Sequence, residues 1–104
     1  MKEKQILAVV KELGKPPRVE PLFENTLEFF QKAVGGYIET VTFATDLVLI
    51  CNEEGRLLGM PFNVEVGGVG FVGPVVAVGF KGEDFVSLKA THIPMILRLL
   101  GGKK

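Results

Sequence analysis

Residues 34–63 constrain the fold more than any other part of this chain, because they combine a helix end, two strand-like runs and a turn. Gly35 and Gly36 can end a helix, since glycine adopts the left-handed conformation without a steric penalty. Residues 37–45 (YIETVTFAT) then have a period of two, in which Ile38, Thr40 and Thr42 alternate with the other set of side chains. Residues 47–51 (LVLIC) are apolar throughout. These patterns predict an antiparallel hairpin whose second strand is covered on both faces.

The polar quartet Asn52-Glu53-Glu54-Gly55 has the composition of a type I turn followed by a left-handed glycine. We therefore expect residues 56–60 to return along residues 47–51 as a further strand, which Pro61 ends. Glycine is so frequent in residues 64–73 that this segment is predicted to be an irregular loop or a bulged strand.

The remaining elements are predicted from apolar runs and from the proline and turn residues that bound or interrupt them. Residues 5–10 and 75–80 are predicted to be buried strands, and residues 18–23, interrupted by Pro21, an edge strand. Residues 81–84 suit a turn, from which residues 85–88 return.

Two helices complete the predicted fold. Asn25, with Glu28 three residues later, forms a capping box for the first, and Thr91 can cap the second, which Gly101 and Gly102 end. Each helix has one apolar face. The expected fold is α+β, a mostly antiparallel sheet of about five or six strands with two helices packed on one face.

Length and charge narrow the classes of function. The chain has 104 residues, which suits a single domain over residues 1–104. Twelve basic residues balance twelve acidic ones, so the chain lacks the overall positive field of a typical nucleic-acid binder. A local basic patch remains possible where the two chain ends meet, from Lys2, Lys4, Lys11, Lys15, Arg18, Lys103 and Lys104.

Cellular location follows from cysteine content and hydropathy. Cys51 is the only cysteine, so no disulfide can form within the chain, and a reduced thiol is typical of the cytoplasm. The longest uncharged stretch, residues 66–80, is too short and too rich in glycine to span a bilayer. We expect a cytoplasmic protein without membrane association.

No motif predicts catalysis, a metal or a cofactor. Residues 68–73 match the G-x-G-x-x-G dinucleotide pattern, but Pro74 and a strand follow where that mechanism requires a helix N-terminus. His92 is the only histidine, which weakens every proposal of a histidine-activated nucleophile. The acidic pairs at residues 53–54 and 83–84 lack the spacing of a calcium loop and suit solvated turns.

Residues 60–63 (MPFN) place hydrophobic side chains and one amide at the mouth of the predicted hairpin. They can form the wall of a small cleft, or a strand exit in which Phe62 packs beneath the glycine-rich segment. The candidate ligand-binding residues around such a cleft are Asn52, Glu53, Met60, Asn63 and Glu83. The apolar segment that follows contains candidate interface residues, which are Val69, Phe71 and Val72.

Four segments carry a resemblance to a known family: residues 35–39 (GGYIE), residues 48–57 (VLICNEEGRL), Pro61 with Asn63, and residues 82–88 (GEDFVSL). Together they are similar to small bacterial and phage proteins grouped as domain of unknown function 3846. The resemblance covers nearly the whole chain and implies no assigned activity, substrate, cofactor or catalytic residue.

This chain also departs from the family pattern at two places. Relatives tend to have a basic residue where Val64 stands, and an acidic opening to the last helix where residues 89–92 (KATH) stand. Any binding function that depends on either feature is in doubt for this chain.

Three hypotheses follow. The first is a non-catalytic module that binds another protein or its own copy, since residues 64–80 are more apolar than an ordinary surface loop. The second is a small-ligand-binding protein or small enzyme with a cleft near Asn52 and Asn63. The third is a nucleic-acid-associated accessory protein of a mobile element. We favour the first.

Overall fold

The computed structural model describes residues 3–101. In these residues the elements follow one another as β1 (Gln5–Lys11), β2 (Arg18–Glu24), α1 (Leu27–Val34), β3 (Ile38–Ala44), β4 (Leu47–Asn52), β5 (Phe62–Val66), β6 (Val69–Val72), β7 (Val75–Lys81), β8 (Asp84–Val86), a 3-10 turn (Ala90–His92) and α2 (Ile93–Leu100). Neither α-helix exceeds eight residues, and no helix in the described chain has the length and apolarity needed to cross a bilayer.

Six of the strands form one sheet in the order β2-β1-β7-β4-β3, with β8 paired to β7. All of its pairs are antiparallel. The predicted α+β class and the mostly antiparallel sheet of six strands are confirmed. The strand β7 lies at the centre because its residues 75–79, all buried, pair with β1 on one side and β4 on the other.

The predicted return of residues 56–60 along β4 is wrong. Both edges of β4 are already occupied, by β3 and by β7, so no edge remains for a third partner. Residues 53–59 instead form consecutive turns, closed by backbone hydrogen bonds from Leu58 N to Glu54 O at 2.9 Å and from Met60 N to Gly55 O at 2.9 Å.

The prediction that both helices pack on one face of the sheet is also wrong. Successive side chains of a strand point to opposite faces, and in β4 Val48 and Ile50 pack with α1 whereas Leu49 packs with α2. The α1 core contains Ile6, Ala8, Val10, Phe23, Phe30, Val34, Val48, Ile50, Val76 and Val78. The α2 core contains Val9, Leu47, Leu49, Cys51, Val64, Val66, Phe71, Val75, Ala77, Leu88, Ile96 and Leu100.

The helix ends differ in detail from the prediction. Thr26, not Asn25, caps α1, accepting a hydrogen bond from Phe29 N at 3.2 Å, because the Asn25 amide donates instead to the carbonyls of Glu3 and Phe85. Gly35 ends α1 with φ at +85°, as predicted. The predicted cap of α2 at Thr91 is wrong, since Thr91 lies within the 3-10 turn; Gly102 lies outside the described residues.

The glycine-rich segment, predicted to be an irregular loop or a bulged strand, is an ordered hairpin of β5 and β6, whose register shifts between Phe62 and Val64. Its turn consists of Gly67 and Gly68, with φ at +58° and +84°, which is the backbone of a two-residue hairpin turn. Three of its side chains, Val64, Val66 and Phe71, are buried in the α2 core. The hairpin therefore covers the same face of the sheet as α2.

Candidate functional site

A cleft of about 290 Å³ lies between β3 and β6, on the face of the sheet that α2 covers. Glu39 and Val41 of β3 stand on that face, because they pair with Cys51 and Leu49 of β4, whose side chains belong to the α2 core. The lining comprises Glu39, Val41, Cys51, Asn52, Glu53, Gly55, Arg56, Leu57, Val69, Gly70, Phe71 and Val72. We call this cavity the cleft.

Asn52 holds the start of the turn segment beside the cleft. It is only 4% exposed, its amide nitrogen donates to Val34 O at 3.1 Å, and its side-chain oxygen accepts from Glu54 N at 2.7 Å. The side chain thus satisfies a carbonyl at the end of α1 and an amide in the turn, groups that would otherwise be left without partners. Its hydrogen-bonding capacity serves the fold.

Met60 holds the end of the same segment. A methyl group added at Gly73 would lie 2.6 Å from Met60 Sδ, and one added at Gly55 would lie 3.5 Å from it. The thioether therefore packs directly against two glycines, one at each side of the segment. Met60 anchors residues 53–60 to the end of β6 and is not among the residues that line the cleft.

Asn63, the other predicted amide, ties β5 to β1. Its side-chain nitrogen donates to Lys11 O at 2.9 Å and to Gly73 O at 2.8 Å, and its side-chain oxygen accepts from Lys11 Nζ at 2.8 Å. These bonds engage both ends of the amide. The structure does not bring Asn63 together with Asn52 in the cleft lining.

Charged groups flank the cleft. The guanidinium of Arg56 donates to Gly70 O at 2.8 Å and so covers a carbonyl of β6. Burial raises the pKa of the Cys51 thiol above its ordinary value, the charge of Glu39 raises it further, and Arg56 opposes the shift. The thiol is therefore neutral at physiological pH and a weak nucleophile.

Large apolar side chains stand exposed around the cleft. Leu57 is 88% exposed and Phe62 63% exposed, and Leu58 and Val69 are also exposed. Leu57 and Val69 line the cleft, and a methyl group at Gly70 would lie 3.5 Å from the Phe62 ring. We call Leu57, Leu58, Phe62 and Val69 the apolar surface. Clusters of this kind are typical of interaction sites.

The other residues predicted from sequence lie in different environments. Glu53 lines the cleft, whereas Glu83 is exposed in the turn between β7 and β8. Of the predicted interface residues, Val69 is exposed and Val72 half-buried in the cleft wall, but Phe71 is only 3% exposed and belongs to the α2 core.

Sequence reasoning missed Glu39, Arg56 and Leu57 as cleft residues. The sequence predicts ordinary strands for the segments that contain Glu39 and Arg56, and nothing in the pattern links these two residues. The one usable signal was the pair Leu57-Leu58, two consecutive apolar residues directly after a predicted turn. Assigning them to a returning strand concealed their exposure.

Comparison with protein families matches residues 4–100 to a model described as "Domain of unknown function (DUF3846)". The chain belongs to the DUF3846 family. No curated protein and no solved structure matches this DUF3846 chain. Membership agrees with the resemblance found in the sequence, and the family description assigns no activity. In this DUF3846 member, Val64 is buried in the α2 core.

Proposed function

We propose that this DUF3846 protein is a non-catalytic module that associates with a second copy of itself through the apolar surface. The observation that carries the proposal is the exposure of Leu57 and Val69 in the lining of one cleft, with Leu58 next in the chain to Leu57 and Phe62 beside Gly70 of the lining also exposed. Burying such side chains against a partner is favourable by about 25 cal/mol for each Å² of apolar surface removed from water. An identical surface on a second copy supplies an apolar partner by two-fold symmetry.

The chemistry of the cleft favours binding over catalysis. Both ends of the Asn52 amide are engaged in the fold, and the Cys51 thiol is held in its neutral form. Arg56 donates to a backbone carbonyl of β6. These groups hold the walls of the cleft in place, which is what a rigid contact surface requires.

The test is sedimentation equilibrium of the wild-type protein and of two matched variants. Leu57→Glu places a charge within the apolar surface, whereas Leu22→Glu places the same charge on β2, where Leu22 is also exposed, at 66%. We expect the wild type and Leu22→Glu to be dimers and Leu57→Glu to dissociate, with Kd raised at least about tenfold. Both changes affect exposed side chains, so both variants should fold.

A wild-type protein that stays monomeric at every concentration would refute self-association. Equal weakening by Leu57→Glu and Leu22→Glu would also refute it, since the effect would then come from charge alone. Circular dichroism of each variant checks that the fold is retained.

A second candidate is the binding of a small ligand in the cleft. Its volume of about 290 Å³ approaches the lower end of the range for small-molecule sites, and its lining combines apolar side chains with Glu39, Glu53 and Arg56. Native mass spectrometry of the purified protein distinguishes the candidates. A reproducible added mass that Arg56→Ala abolishes would support a ligand; a bare dimer would support self-association.

A nucleic-acid role in a mobile element has less support. Lys15 and Arg18, two of the cations expected to form a basic patch, pair with Glu12, and Arg18 also pairs with Glu20. Lys2, Lys103 and Lys104 lie outside the described residues. The cytoplasmic location remains part of the proposal, supported by the single reduced cysteine.

A further inference from the structure

Among residues 3–101, no strand pairs with the outer edge of β3. Glu53 N donates to Tyr37 O at 2.8 Å, so Tyr37 pairs with Glu53 through hydrogen bonds. Hydrogen-bonded and non-hydrogen-bonded residue pairs alternate along antiparallel strands. The backbone groups of Glu39 and Val41 therefore bond to β4, whereas those of Thr40 point away from it. In the described chain no hydrogen bond reaches these outward groups of Thr40.

We infer that β3 pairs antiparallel with β3 of a second copy, which joins the two sheets into one. This inference rests on the proposed self-association and names the strand through which it occurs. Exposed strand edges are templates for pairing with another chain, and β3 has neither the proline nor the lysine that commonly prevents it.

The side chains of β3 suit pairing with an identical strand. Residues 38–42 pair regularly with β4, and the register shifts only after Thr42, so Thr40 is the centre of the regular segment. A two-fold axis at Thr40 places the two copies of Thr40 opposite each other and Ile38 opposite Thr42 of the second copy. Glu39 then faces Val41, so no like charges are opposed.

The apolar surface supplies area that five strand residues lack. A stable interface typically removes about 1,200–2,000 Å² from water in total, which one short strand pair does not provide. Leu57 and Val69 line the same cleft as Glu39 and Val41 of β3, so the apolar surface adjoins the strand. In the two-fold pair, Val41 of the second copy stands beside Glu39 at the cleft.

The experiment uses three substitutions at Thr40. Thr40→Pro removes the outward N–H without affecting a bond to β4, and edge strands tolerate proline. Thr40→Val keeps that N–H and is the matched control. Thr40→Lys keeps the N–H but puts two positive charges directly opposite each other in the dimer. The readouts are sedimentation equilibrium and amide hydrogen exchange at Thr40 and Thr42.

We expect the wild type and Thr40→Val to dimerise, and Thr40→Pro to raise Kd at least about tenfold, since two symmetry-related hydrogen bonds are lost at once. The amides of Thr40 and Thr42 should be protected in the wild type at high protein concentration and exchange freely on dilution. If Thr40→Pro fails to fold, a monomeric Thr40→Lys supports the inference and a dimeric one overturns it.

The outcomes separate this inference from the function on which it rests. A wild-type dimer unaffected by Thr40→Pro, with unprotected Thr40 and Thr42 amides, overturns pairing through β3 but leaves self-association in place. A wild-type monomer overturns both. An assembly larger than a dimer overturns the inference, because pairing of β3 with β3 occupies the outer edge of that strand in both copies.

Discussion

The two edge strands of the main sheet, β2 and β3, differ in how far their outer edges are protected from pairing with another strand. At the β2 edge, Arg18 forms ion pairs with Glu12 at 3.2 Å and with Glu20 at 2.7 Å, and Pro21 lies where the register with β1 shifts. At the β3 edge the strand is threonine-rich and its centre is unprotected. What surrounds β3 is a packed turn segment, residues 53–60, held by Asn52 and Met60.

The difference shows that the outer edge of β2 is protected from pairing with another chain, whereas the outer edge of β3 is available for it. Charges and a proline discourage pairing at β2, and they act at the surface, where each ion pair contributes little to stability. The neighbourhood of β3 is instead stabilised by buried hydrogen bonds and close packing, which are costly to remove. Changes beside β3 should therefore affect stability strongly, and changes at β2 weakly.

The largest effect is expected from Asn52→Ala. The substitution leaves the carbonyl of Val34 and the amide of Glu54 without their partner, and each unsatisfied group costs about 1–3 kcal/mol, so the free energy of unfolding should fall by about 3–4 kcal/mol. Glu53→Ala, at the exposed neighbouring position, should change it by no more than about 0.5 kcal/mol. Urea denaturation measures both. Equal effects would show that the buried amide is unimportant.

A smaller effect is expected where the turn segment meets β6. Gly73→Ala combines a positive φ of +74° with a methyl group 2.6 Å from Met60 Sδ, whereas Gly82→Ala has φ at +64° and nothing within 4 Å. We expect a loss of about 1 kcal/mol for Gly82→Ala and about 2–3 kcal/mol for Gly73→Ala by thermal or urea unfolding. A Gly73→Ala protein as stable as the Gly82→Ala control would mean that Met60 moves freely.

The smallest effect is expected at the β2 edge, through pH. A hydrogen bond from Lys15 and the charge of Arg18 lower the pKa of Glu12 below its ordinary value of 4.5. A lowered pKa in the folded state stabilises above the unfolded pKa, and that contribution is lost as pH falls through the folded pKa. Stability should decrease slightly more on acidification below about pH 4.5 in the wild type than in Glu12→Gln. Identical acid profiles would show that these ion pairs contribute nothing measurable.

Most of the main sheet followed from local pattern. The continuous apolar runs in β1, β4 and β7 predicted buried strands, because a strand covered on both faces has no polar side. Pro21 predicted that β2 lies at an edge of the sheet, because proline has no backbone N–H to donate to a neighbouring strand. The glycine-rich hairpin was missed for a local reason as well. Frequent glycine usually weakens strands, but Gly67 and Gly68 supply the turn that its hairpin requires.

The candidate site was predicted only in part. Asn52, Glu53 and Val69 line the cleft. Asn63 instead donates to backbone carbonyls, Met60 packs against two glycines, and Phe71 is buried. The sequence indicates candidate binding residues, but it does not say whether their hydrogen bonds and apolar contacts are already made within the protein. That answer depends on which backbone groups lie within hydrogen-bonding distance.

The sequence determined the α+β composition, the buried strands, the end of α1 at Gly35 and membership of the DUF3846 family, because each depends on residues close together in the chain. Tertiary structure alone decided that the helices occupy opposite faces and that residues 53–60 form the wall of a cleft. The second outcome arises because β7, distant in sequence, inserts between β1 and β4 and occupies the edge that residues 56–60 would have needed. A strand's alternation defines two faces, but only the assembled sheet decides which helix covers each.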